Sequence, residues 1–205
     1  MKTCLRLILA LIILAAPASV VFAKQKPAPT APGKYTEWGG EIDQLEIVQA
    51  FKLADYDRVV VEPLDTSATP LPEANDNTYA PVKNVLARVT PPFVEGLASE
   101  LSKPAEMGEK GKHAAPGSLV VRGKVVTMDP GSKAARYWAG FGAGAARTEI
   151  EGEVMDVRTG KVLLRFHQER RSGSGFNAFG GDYEKLMERS LRQIGEDVAG
   201  VLRHF

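Results

Sequence analysis

Residues 140–145 read Gly-Phe-Gly-Ala-Gly-Ala, with glycines at the first and third places and alanine at the sixth. Those letters match a dinucleotide fingerprint, whose glycines let a helix N-terminus hold a pyrophosphate. The chemistry needs a strand before the pattern and a helix after it, whereas residues 148–157 read as a strand. The nucleotide reading carries little weight, and no cofactor is expected. The histidines are His113, His167 and His204, none spaced as a zinc pair, and no metal is expected. Gly173-Ser174-Gly175 lacks the frame of a nucleophile elbow. Glu149, Glu151 and Glu153 stand two apart and so share one face of a strand. Paired carboxylates can do acid–base work, yet three like charges in register more often line a solvated face.

Aromatic side chains set among glycines offer a different chemistry, that of binding. One group is Tyr137, Trp138 and Phe141 with Gly142 and Gly144, and a second is Phe176, Asn177 and Phe179. If the first group packs inward, its glycines allow a tight approach to a helix. If it is displayed, the apolar patch needs a partner, and aromatic anchors carry much of the energy of interfaces.

The working compartment follows from the start of the chain. Lys2 and Arg6 precede an apolar run that Pro17 ends, and Val21-Phe22-Ala23 supplies small residues for cleavage. This is the pattern of a secretory signal peptide cut after residue 23. The run is too short to span a bilayer comfortably, which takes ~20 apolar residues. The single cysteine, Cys4, lies before the run, so it is misplaced for lipidation and leaves the mature chain without a disulfide. Removing 23 of 205 residues leaves 182, enough for one domain with a real core. Loss of Lys2 and Arg6 takes the basic count from 26 to 24 against 25 acids. That balance excludes a nucleic-acid footprint, which needs clustered Lys and Arg.

Further along, residues 24–36 hold three prolines and read as a solvated spacer before a single domain over 37–205. Residues 38–53 fit helix and strand equally. Residues 58–62 (RVVVE) form a β-branched strand buried on both faces. The long polar stretch 65–80 has no periodicity. Val82, Val85, Leu86 and Val89 follow helical spacing, and Thr90-Pro91 restarts a helix with Thr90 as its cap. Residues 105–117 read as loop. Leu119, Val121 and Val125 alternate with Arg122 and Lys124 as a strand. Residues 148–157 and 161–170 flank Asp156-Val157-Arg158-Thr159-Gly160, a hairpin with glycine where a positive φ is needed. Asp182 caps a final helix with Leu186, Leu191, Ile194, Val198 and Leu202 on one face. The expectation is an α/β (α+β-like) two-layer sandwich: a mixed sheet of about four to five strands and two main helices.

Within 136–202, Arg136, the glycine-rich GFGAGAA, the Asp…Thr-Gly hairpin, a Gly-Ser loop and a terminal helix occur in that order. This resembles the bacterial secreted family catalogued as domain of unknown function 4410. The resemblance implies a small α/β domain similar to that of Tol-system and curli-secretion envelope proteins, which are adaptors and assembly parts. It implies no activity. Family members are often lipoproteins, and this chain departs from them in lacking a correctly placed cysteine.

The sequence thus points to a non-enzymatic periplasmic or secreted protein that binds an envelope protein or glycan. Its expected binding residues are Tyr137, Trp138, Phe141, Gly142, Gly144, Phe176, Asn177 and Phe179, with peripheral contact to the outer membrane open. Two rivals stand: a subunit that self-associates through the glycine-rich loop, and a hydrolase drawing on His167 and the Glu149–Glu153 row. The second requires those side chains to converge in a concave pocket.

Overall fold

The computed structural model describes residues 28–109, 114–131, 145–172 and 182–205. Residues 1–23, read from sequence as a signal peptide, lie outside the described residues. The described elements run β1 (Gly33–Trp38), β2 (Ile42–Ile47), a short 3-10 turn (Leu53–Asp55), β3 (Arg58–Val61), α1 (Tyr79–Leu86), α2 (Thr90–Glu100), β4 (Ala105–Met107), β5 (Ser118–Asp129), β6 (Ala146–Asp156), β7 (Lys161–Ser172) and α3 (Tyr183–Leu202). The strands form one open mixed sheet in the order β1-β2-β7-β6-β5-β3-β4. Strand β3 pairs in parallel with β4 and β5, and the other neighbours are antiparallel.

Seven strands and three helices replace the expected four to five strands and two helices. The additions have physical reasons. Strand β4 has three residues, too few for alternation to register, and lies in the stretch read as loop. The ambiguous residues 38–53 resolve into most of the β1–β2 hairpin and the 3-10 turn. Strand β1 begins at Gly33, inside the stretch read as spacer, and the residues before it are tied down. Trp38 Nε1 donates to the Pro29 carbonyl at 2.9 Å, and the Tyr35 hydroxyl donates to the Ala31 carbonyl at 2.8 Å. A proline forbids only its own N–H bond, so pairing can start directly after the last one.

Two local expectations also resolve. Thr90 is the first residue of α2 rather than its cap, and its Oγ1 accepts from the Leu64 N–H at 3.0 Å. The long polar stretch starts by extending the sheet: Asp65 N–H donates to the Gly123 carbonyl, Val125 N–H to the Asp65 carbonyl, and Thr69 Oγ1 to the Val125 carbonyl. Asp182 caps α3 as expected, its carboxylate accepting from Glu184 N–H at 3.0 Å.

The helices and one face of the sheet enclose a single core. Val59, Val61, Leu119, Val121, Ile150, Val154 and Phe166 come from strands; Val82, Val85, Phe93, Leu97, Met187, Leu191 and Ile194 come from helices. Helix α3 holds this layer together, packing on β6 and β7 and against α1 and α2. Its crossing with α2 is backbone to backbone. A Cβ on Gly96 would overlap the Arg192 carbonyl oxygen, and one on Gly195 would overlap that of Phe93. A polar clasp reinforces the contact with β7: Asp197 of α3 accepts from Gln168 Nε2 at 2.8 Å and takes both Nε and a terminal nitrogen of Arg170.

Gly195→Ala should therefore destabilise the protein although alanine favours helix. Overpacking of a tight crossing costs about 1–3 kcal/mol, more than the ~1 kcal/mol that helix propensity returns. Urea unfolding should show a lower midpoint, and an unchanged or raised midpoint would mean the crossing is slack.

Candidate functional site

None of the eight expected binding residues can be placed: Tyr137, Trp138, Phe141, Gly142, Gly144, Phe176, Asn177 and Phe179 lie outside the described residues, as does His113. The residues after the glycine pattern form β6, beginning at Ala146, so a strand stands where a dinucleotide site requires a helix. Among the described residues no cluster of His, Cys, Asp and Glu could hold a metal ion.

The remaining candidates meet on the sheet face opposite α3. Pleating sends Ile150, Gly152 and Val154 toward the helices, so Glu149, Glu151 and Glu153 point the other way. Strand register then builds rows across the sheet. One row runs Glu62, Arg122, Glu153, Arg165, Glu46, Lys34, alternating in charge at every step. Arg122 meets Glu62 at 2.9 Å, and Arg165 lies 3.0 Å from Glu46 and 3.9 Å from Glu153. Lys34 approaches Glu46 at 4.0 Å. The next row is Lys124, Glu151, His167, Gln44, Thr36. Lys124 pairs with Glu151 at 2.9 Å, but the row becomes uncharged at Gln44 and Thr36.

The third row is the least exposed. Glu149 is 8% exposed, so it departs from the solvated reading. It accepts from Thr127 Oγ1 at 2.9 Å and from Arg147 at 3.0 Å, and its other oxygen lies 3.0 Å from His167 Nε2. Arg147 reaches on to Glu169 at 2.6 Å, and Arg171 holds the other oxygen of Glu169 at 2.6 Å. Burial by itself would raise the Glu169 carboxyl, but the hydrogen bonds from Arg171 and Arg147 outweigh it and hold the group below the usual carboxylate range.

An open depression of about 530 Å³ lies on this face over β1, β2, β7 and β6. Lys34, Thr36, Gln44, Glu46, Glu151, Arg165 and His167 line it, with Tyr35, Leu45, Gly152 and Phe166 contributing to its floor. The structure thus brings His167 to Glu149 and Glu151, while Glu153 pairs away from it with Arg165. His204 stands apart, edge-on to Trp38 with ring centres 4.9 Å apart. Thr36, Gln44 and the Lys34–Glu46 pair were not singled out in the sequence. Their stretches read as spacer or as ambiguous, and only strand register sets them beside His167.

The hairpin segment has a structural part. Asp156 accepts from Arg158 N–H at 2.8 Å and from Thr159 Oγ1 at 3.0 Å, and Gly160 has φ +66°. Tyr56 packs beside it, and burial together with Asp156 raises the tyrosine hydroxyl above its usual value.

The family model described as "Domain of unknown function (DUF4410)" matches residues 54–175, more than half of the chain. The chain belongs to this family. The DUF4410 match runs from the 3-10 turn through β7 and leaves the β1–β2 hairpin and α3 outside it. The depression therefore straddles the boundary, with β6 and β7 inside the matched region and β1 and β2 outside it. No curated protein matches the chain. Among solved structures the chain is similar to PelC from Paraburkholderia phytofirmans, described as a dodecamer, at 14% identity and TM-score 0.42, over 75% of this chain and 96% of that one. It is also similar to a hypothetical protein from Chlamydia trachomatis, at 14% identity and TM-score 0.43, over 72% and 99%. A third is the lipoprotein GNA1162 from Neisseria meningitidis, at 16% identity and TM-score 0.30, over 72% and 94%. No helix among the described residues is long and apolar enough to cross a membrane.

The lowered carboxyl at Glu169 sets a pH prediction. A carboxyl lowered in the folded state adds stability that is present above its unfolded value and is lost as pH falls through the folded one. Glu169→Gln should lower stability at neutral pH and flatten the fall in unfolding midpoint on the acid side. An acid limb as steep as that of the native chain would show that Glu169 contributes nothing to it.

Proposed function

We propose that this DUF4410 protein is a non-enzymatic component of the bacterial envelope, periplasmic or secreted, acting as a binding or assembly adaptor. The observation that carries this reading is the state of the acid–base residues on the open face. His167 and the three glutamates are held in pairs with Lys124, Arg147 and Arg165 or with one another. A hydrolase would need a nucleophile or a positioned water beside a base. In the depression the nearest aliphatic hydroxyl is that of Thr36, two strand spacings from His167, or roughly 10 Å. A paired, rigid sheet face suits recognition better than turnover. The signal-peptide pattern supports the compartment, and the aromatic residues among glycines supply anchors for an envelope partner.

Crosslinking in intact cells followed by recovery of the protein tests this, comparing the native chain with a Trp138→Ala, Phe141→Ala double variant shown to be folded by circular dichroism. The expected result is a specific envelope component recovered with the native chain and lost with the variant. Recovery of the protein crosslinked only to itself would replace the adaptor with a self-associating subunit. Release of a cleaved envelope fragment by the purified protein would replace it with a hydrolase.

A further inference from the structure

Along the row Lys124–Glu151–His167–Gln44–Thr36 the side-chain pairing stops at the uncharged stretch Thr36–Gln44. The neighbouring rows satisfy themselves: Glu62 to Lys34 alternates in charge, and Arg147 ties Glu149 to Glu169. Between them, the exposed Thr36 hydroxyl and the Gln44 amide have no hydrogen-bond partner among the described residues. His167 commits Nε2 to Glu149 at 3.0 Å, while Nδ1 lies 3.8 Å from Glu151, beyond hydrogen-bond reach. Hydroxyl, amide and imidazole nitrogen therefore stand in line across three strands, spaced by ~4.8 Å per strand. The depression lies over this line, with Lys34, Glu46 and Arg165 along one side.

We infer that this depression is a binding site for an uncharged, hydroxyl-rich glycan lying across β1, β2 and β7. The inference deepens the binding role proposed above and rests on it. Each open group suits a sugar hydroxyl: the amide of Gln44 donates and accepts, the Thr36 hydroxyl does both, and Nδ1 of His167 supplies a third polar contact. The charges at the site balance, with Lys34 and Arg165 set against Glu46 and Glu151, so a charged ligand meets an opposing group wherever it meets an attracting one. An apolar ligand would cover the Thr36 hydroxyl and the Gln44 amide without meeting their hydrogen bonds. A strand spacing close to the length of one pyranose unit lets successive sugars meet successive strands. The volume of about 530 Å³ falls within the roughly 300–1,000 Å³ of small-ligand sites, which suits a few sugar units. Thr36 and Gln44 lie outside the DUF4410 match and His167 lies inside it, so the site joins this chain's β1–β2 hairpin to the matched region.

The test is a backbone-amide NMR titration of the mature protein with four uncharged tetrasaccharides or one acidic one: maltotetraose, cellotetraose, chitotetraose and mannotetraose against tetragalacturonate. The expected result is saturable shifts in β1, β2 and β7 with at least one neutral sugar. Affinity should fall about tenfold, the equivalent of 1.4 kcal/mol, in both Gln44→Ala and Thr36→Val. Arg58→Ala, at the far side of the sheet, should bind as the native chain does. Absence of shifts with every neutral sugar up to roughly 10 mM, a limit of about −2.7 kcal/mol, overturns the inference. So does equal binding of tetragalacturonate, or undiminished binding by a folded Gln44→Ala. If the sugars fail while the crosslinked envelope partner persists, the adaptor stands and only the glycan site falls.

Discussion

Where α2 crosses α3, neither helix has a side chain to spare at the contact. Gly96 lies against the Arg192 carbonyl and Gly195 against that of Phe93, so the two backbones meet directly. This approach sets the height of the helical layer over the sheet. Phe93 and Leu97 on α2 and Leu191 and Ile194 on α3 reach full burial because the crossing is so close. Helix α3 in turn presses on β6 and β7, and the Asp197 clasp on Arg170 and Gln168 fixes its position along β7. Gln168 is 2% exposed and also joins β2, accepting from Asp43 N–H and donating to the Glu41 carbonyl. A buried amide with all its bonds made is a strong determinant of register, because a one-residue slip would strand every one of them.

The open face is a consequence of that register. A residue facing α3 on one strand obliges its neighbours in sequence to face outward, and on β6 and β7 the chain places charge at several of these positions. Isolated exposed ion pairs are worth about 0–1 kcal/mol each, so the outer rows add little to stability individually. Their effect is selective. Alternating signs across six positions disfavour any register that sets like charges side by side. The neutral positions Thr36 and Gln44 stand outside this pairing, so the groove over them differs chemically from the charged rows beside it.

The limits of the DUF4410 match divide the molecule in an informative way. The matched region contains the parallel β3–β5 unit, the long hairpin and the Asp156–Tyr56 contact, all of which serve to hold the sheet. The hairpin β1–β2 adds two strands at the edge of that sheet, beside β7. Pro29 and Pro32 precede β1, so the strand starts directly after the last of them.

Much of this was legible from the residues. The run RVVV, the alternation of Leu119, Val121 and Val125, and the Asp156–Gly160 turn specify local structure by period and turn chemistry alone, and Asp182 caps α3 for the same reason. The strand count was not legible, because β4 is three residues long and the hairpin β1–β2 has no alternation clear enough to separate it from helix. Glu149, Glu151 and Glu153 were visibly on one face, but their partners were not: Arg165 and Lys124 come from other strands, and only pairing register brings them across. Thr36 and Gln44 carry no signal in isolation, since an uncharged polar residue on an exposed strand is ordinary. By itself the sequence determined local periodicity, the Asp156–Gly160 turn and the Asp182 cap, which depend on neighbours along the chain. Tertiary structure decided which strand lies beside which, and so placed Thr36, Gln44 and His167 in one row, because contacts between residues over a hundred positions apart are set by packing against α3 and not by local preference.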